Sequence, residues 1–116
     1  MKKREFYIYK EDLIKYKAKQ EPVRISQMVE DLNNKFCLEN MKKLRTTNIT
    51  NFLLKQNYLC LSKDGRKRPT SNGKLLGIQI GQFEDENGNK IPVNLYNIRA
   101  QQYILDKLYQ ILADAD

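Results

Sequence analysis

RTTNITNFLLKQNYLCLSKDGRKRP, residues 45–69, changes its hydrophobic period partway along, and that change decides the fold class. Thr46 or Thr47 can cap a helix in which Ile49, Phe52, Leu53 and Gln56 share one stripe, at about 100° per residue. The opposite face carries Thr47, Asn48, Asn51 and Lys55, with Thr50 and Leu54 at one border. Asn57 is a natural stop, because asparagine tolerates the left-handed backbone that ends helices. The period then falls to two. Tyr58, Cys60 and Ser62 point to one side of a strand, Leu59 and Leu61 to the other. Asp64-Gly65 is a strong turn signal, after which Arg66, Lys67 and Arg68 either pair back or complete the loop.

Working outward, RISQMVEDLNNKF (24–36) places Ile25, Met28, Val29, Leu32 and Phe36 at spacings of three and four, an amphipathic helix that Ser26 can cap. Before it, FYIYKEDLIKYKAKQ (6–20) alternates aromatic and apolar residues and then runs into a short helix, with Leu13, Ile14 and Tyr16 facing inward. ENMKKL (39–44) is a short polar connection. Downstream, PTSNGKLLG (69–77) reads as a helical turn begun by Pro69 and closed by Gly73 or Gly77. IQIGQFE (78–84) and KIPVNLY (90–96) are strands joined by the turn DENGN, and Pro92 marks the second as an edge. NIRAQQYILDKLYQIL (97–112) reads as one long amphipathic helix. Its heptad spacing suits two roles, a homodimer seam through Ile98, Leu105, Leu108 and Leu112 or a face covering the domain's own sheet.

At 116 residues the chain has room for one core. The layout is a basic segment over 1–23, a core over 24–96 and a terminal helix over 97–112. The net charge of +7 is unevenly spread. Residues 41–80 hold nine cations and one acid, whereas 81–116 hold three cations and six acids. A polyanion partner is the expectation, since neutralising phosphates releases condensed counterions. No apolar run approaches the length of a membrane helix and the first residues lack the apolar stretch of a signal peptide, so a cytoplasmic location is expected. Cys37 and Cys60 each sit among apolar residues and read as buried thiols.

The absence of histidine removes histidine-based nucleophile activation, acid–base work and metal ligation together. GRKRPTSNGK (65–74) fails as a phosphate loop, because Gly65 and Gly73 are eight apart and Leu75 follows Lys74. DENGNK (85–90) fails as a calcium loop, with its glycine at the fourth position and Tyr96 where the final glutamate belongs. Neither an enzyme nor a cofactor is expected.

Helix, connection, helix and then a strand–turn–strand with cations at its tip is the order of a winged helix-turn-helix. TTNITNFLLKQNYL, with RPTSNGKLLGI resembling the PTxxGxxxGI run of some phage-type modules, resembles winged helix-turn-helix domains of small bacterial and phage regulatory proteins over residues 24–80. The expected fold is therefore α+β, winged helix-turn-helix-like, and the expected function is regulatory binding of double-stranded DNA. Asn48 and Asn51 would read adenine edges, Lys55 a guanine or a phosphate, and Thr47 and Thr50 phosphates or thymine methyls. Lys42, Lys43 and Arg45 would sit on a phosphate strand at the start of the helix, and Lys63, Arg66, Lys67, Arg68 and Lys74 would supply the cationic turn. Two hairpins are expected, and either Lys63–Arg68 or Gln82–Lys90 could be the wing. Two alternatives stand beside this. One is a protein-interaction module of phage or mobile-element origin that docks on an acidic protein or a host nucleoprotein complex. The other is single-strand binding through Tyr7, Tyr9 and Tyr16.

Overall fold

A computed structural model describes residues 3–114 as an α+β protein. In chain order the elements are α1 (Lys10–Lys15), α2 (Ile25–Phe36), α3 (Thr46–Lys55), β1 (Leu59–Leu61), β2 (Lys67–Pro69), α4 (Ser71–Leu76), β3 (Ile78–Glu84), β4 (Lys90–Tyr96), α5 (Ile98–Asp106) and α6 (Leu108–Asp114). The strands form two separate antiparallel hairpins. β1 pairs with β2 from Leu59 opposite Pro69 to Leu61 opposite Lys67, and β3 pairs with β4 from Ile78 opposite Tyr96 to Glu84 opposite Lys90.

The periodicities explain the core. Met28, Val29 and Leu32 of α2 and Ile49, Phe52 and Leu53 of α3 are buried, together with Leu59, Ile78 and Tyr96 at the roots of the hairpins. Asn57 takes the expected left-handed conformation (φ 65°) and ends α3. Gly65 and Gly88, both at φ 81°, turn the two hairpins. Asp85 locks the second turn by accepting from the backbone N–H groups of Asn87 (2.9 Å) and Asn89 (2.8 Å), which holds its carboxyl below the usual range.

Several local expectations change. α2 starts two residues early and α3 one or two, with Arg24 and Arg45 at the caps; their backbone N–H groups donate to the side chains of Gln27 (2.9 Å) and Asn48 (3.0 Å). Pro69 ends β2 instead of opening a helix. Thr70 caps α4 by accepting from the N–H of Gly73 at 3.0 Å, and Gly77 closes it at φ 121°. Ile14 points outward (75% exposed), Leu61 is exposed, and Cys60 is an exposed thiol while Cys37 is half-buried. Burial falls off along β1: Leu59 at its start is buried, whereas Cys60 and Leu61, nearer the turn, are exposed.

The carboxy-terminal helix is two. α5 ends at Asp106, Lys107 caps it, and α6 starts at Leu108. The break lets both halves face inward, α5 against β4 and α6 against α3. Leu105 and Leu108 are consequently buried in the chain's own core, and Ile98 and Leu112 are half-buried. The heptad seam is thus a core face, and Leu105 and Leu108 are not free to contact a second copy.

The amino-terminal segment is part of this core. Phe6, Ile8, Tyr16 and Val23 are buried, and Val23 exchanges backbone bonds with Tyr96 (3.0 and 2.8 Å). Gln101, 2% exposed, fastens the segment. Its Oε1 accepts from the N–H of Lys19 (2.8 Å), and its Nε2 is shared among the carbonyls of Tyr96 (2.9 Å), Lys19 and Glu21 (both 3.2 Å). Asn33 does the same between α2 and the stretch before α3, bonding both backbone groups of Leu44 (2.8 and 2.9 Å).

Candidate nucleic-acid interface

α3 ends where β1 begins, so the first hairpin folds back beside the helix that precedes it. Lys67 joins them. Its ammonium donates to the hydroxyl of Thr50 at 2.8 Å and to the side-chain oxygen of Asn51 at 3.2 Å. Thr50 is therefore covered, being 9% exposed, whereas Thr47, Asn51 and Lys55 stand open to solvent. Asn48 is half-buried, and its oxygen is committed to the first turn of α3.

The four cations of the hairpin divide by task. Arg68 is half-buried and reaches the second hairpin, with Nη1 3.4 Å from the side-chain oxygen of Asn94 and Nη2 3.5 Å from the carbonyl of Pro92. Asn94 returns a bond from Nδ2 to the carbonyl of Lys67 at 2.9 Å. Lys67 and Arg68 thus position the hairpin, and Lys63 and Arg66 present its charge. Asp64 organises the tip. It takes hydrogen bonds from the Ser62 hydroxyl and the Arg66 N–H, which hold its carboxyl below the usual range, and it lies 3.7 Å from the Arg66 guanidinium.

On the other side of α3, Lys42, Lys43 and Arg45 edge a cleft of about 510 Å³, with Lys3, Phe6 and Leu112 completing its walls. Lys42 pairs with Glu5 at 3.0 Å on the exposed rim. Arg45 and Asn48 also line a second cleft of about 410 Å³, which continues along Thr47, Asn51 and Lys55 and has Asp114 in its wall. The two clefts share Arg45 and Asn48, so they adjoin at the start of α3. Lys74 is exposed on α4, which packs against β2 and β3.

Sequence reasoning missed Lys3 and Asp114, which reach these clefts only because the chain's two ends close over α3. It also missed that Thr50 serves Lys67. Tyr7 and Tyr9 are exposed and stacked edge to face on each other, whereas Tyr16 is buried and donates to Asp31 at 2.7 Å. Among the described residues no helix is long and apolar enough to cross a membrane, and no three Cys, Asp or Glu side chains gather where they could hold a metal ion. No protein-family model, curated protein or solved structure matches this chain.

Proposed function

We propose that the protein binds double-stranded DNA in the manner of a winged helix-turn-helix regulator, with α3 in the major groove and the β1–β2 hairpin as the wing. The carrying observation is the Lys67 bridge, which fixes a cation-tipped hairpin beside the solvent-facing residues of α3. Lys42, Lys43 and Arg45 then lie at the opposite end of the same helix, so phosphate contacts flank base-reading positions on both sides. Asn51, Thr47 and Lys55 are the groove-facing side chains, and Asn51 keeps its amide donors for a base edge while its oxygen accepts from Lys67. The second hairpin is a poor wing. Its tip carries Glu84, Asp85 and Glu86, which would repel phosphate.

Fluorescence anisotropy with a random-sequence duplex at low salt tests the reading. Binding should weaken steeply with added salt, and K63E/R66E should lower the salt slope by about 2 while weakening all sequences alike. Asn51→Ala should change sequence preference instead. No binding to random or selected duplexes at micromolar protein would overturn the reading.

A protein-docking role has one observation in its favour. Leu13, Ile14, Ile98 and Tyr109 line a groove of about 600 Å³ beside α1 and α5, with Lys10, Lys17 and Asp106 among its polar residues. Partners that remain on the immobilised protein after nuclease treatment would favour that role.

A further inference from the structure

The second hairpin has one edge interrupted by other elements and one edge without a paired strand or proline. Asn97 donates to the carbonyl of Gly77 and Asp85 donates to the carbonyl of Asn89, so odd-numbered residues of β3 bond toward β4. Tyr96, opposite Ile78, turns both backbone groups outward to Val23. By the two-residue alternation of an antiparallel ladder, Ile80 and Gln82 direct their N–H and C=O groups away from β4. Among the described residues neither has a hydrogen-bond partner on that side.

The outer edge of β4 is interrupted at two places, although Asn94 between them also turns its backbone groups outward. Val23 pairs at one end, Pro92 has no N–H to offer, and its carbonyl takes the Arg68 guanidinium. β3 has no paired strand on its outer side, although α4 and β2 lie against it. Ile78 to Phe83 contains no charge and no proline, and Ile80 and Phe83 are 50% and 42% exposed. Natural sheets blunt such an edge with lysine, proline or a covering element unless something pairs with it.

We propose that β3 pairs antiparallel with β3 of a second copy, about a two-fold axis at Gly81. That register sets Ile80 opposite Gln82 of the second copy, where the outward backbone groups of both can exchange bonds. Gly81 then faces itself at the closely spaced, non-hydrogen-bonded position. Self-pairing also answers the charges. It lays the acidic tip Glu84–Glu86 of each copy beside α4 of the other, where Lys74 is exposed. The partner is therefore this same strand, and the inference holds whether or not the cationic face binds DNA.

Sedimentation velocity and amide exchange on the full chain test it. The protein should sediment at twice the 13.7 kDa of one chain. The amides of Ile80 and Gln82 should exchange at least about tenfold more slowly than in Ile80→Lys, while those of Gln79 and Gly81 stay protected in both. Ile80→Lys should be monomeric, with a Tm that no longer rises with protein concentration, and Gln82→Lys should match it without removing an apolar side chain. A wild-type mass of one chain would overturn the proposal. So would a dimer in which the Ile80 and Gln82 amides exchange freely, or one that survives both substitutions.

Discussion

The two hairpins are built to different plans. The first is three residues per strand, with cations at its tip, and it is tied to α3 by Lys67 and to the second hairpin by Arg68 and Asn94. The second is seven residues per strand, has acids at its tip, and exposes most of β3. A short strand pair has too few ladder bonds to hold itself, so side chains of neighbouring elements must position it. A longer ribbon keeps its own register and can leave an edge open. The same motif thus gives a fixed charged finger in one place and a free pairing surface in the other.

Glycine-to-alanine substitutions in or beside each hairpin offer the sharpest break of this contrast. Gly73 lies where a Cβ would overlap the carbonyl oxygen of Tyr58, which is backbone and cannot step aside. Gly73→Ala should cost about 3 kcal/mol or more by chemical denaturation. At Gly81 the obstacle is the end of the Leu95 side chain, which can rotate. Gly81→Ala should cost about 1 kcal/mol. Equal costs would mean that the first hairpin is not packed as rigidly as its contacts imply.

Tyr96 closes the root of the second hairpin, and burial raises its hydroxyl pKa from 10.0 to about 12. A raised folded pKa favours the protonated native state below the unfolded value, and that advantage is lost as pH climbs through the folded one. Stability should therefore decline between pH 10 and pH 12, and Tyr96→Phe should flatten the decline in denaturant titrations across that range. An undiminished decline in Tyr96→Phe would place the alkaline sensitivity elsewhere.

Charge reversal separates the hairpins functionally. On the proposed DNA reading, K63E/R66E should weaken duplex binding by about tenfold or more at low salt, whereas E84K/E86K should leave it equal or slightly tighter. A larger effect at the second tip would exchange the wing assignment. The smallest effect is expected at the tie itself. Lys67→Met keeps the aliphatic stem but leaves the Thr50 hydroxyl without its partner, and should cost about 1 kcal/mol in thermal or urea unfolding.

Much of this architecture was legible. The strand limits 78–84 and 90–96 match, because alternation bounded by Asp-Glu-Asn-Gly-Asn leaves little freedom of register. α3 was legible because its apolar stripe and Asn57 agree. The break at Lys107 was not, since no glycine or proline marks it; tertiary packing against β4 and α3 sets it. Gln101 was unreadable for a related reason. A buried glutamine looks like a surface one until the backbone groups it satisfies, 80 and 82 residues away, are brought to it. In the candidate interface, residue type identified the cations but not their division of labour. Whether a lysine presents charge or spends it on a neighbouring hydroxyl depends on a meeting of α3 with β2 that no local pattern encodes.

Gln101 bonds Lys19 and Glu21, and the hydroxyl of Tyr109 reaches the carbonyl of Ile8 at 2.8 Å across 101 residues. The segment before α2 therefore has two kinds of anchor: Arg4 bonds the backbone of Asn40 and Lys42 and Tyr16 bonds Asp31, close in sequence, whereas Gln101 and Tyr109 hold it from α5 and α6. The nearer anchors can form as soon as α2 and α3 do, whereas those of Gln101 and Tyr109 close stretches of 82 and 101 residues and are the slower to form.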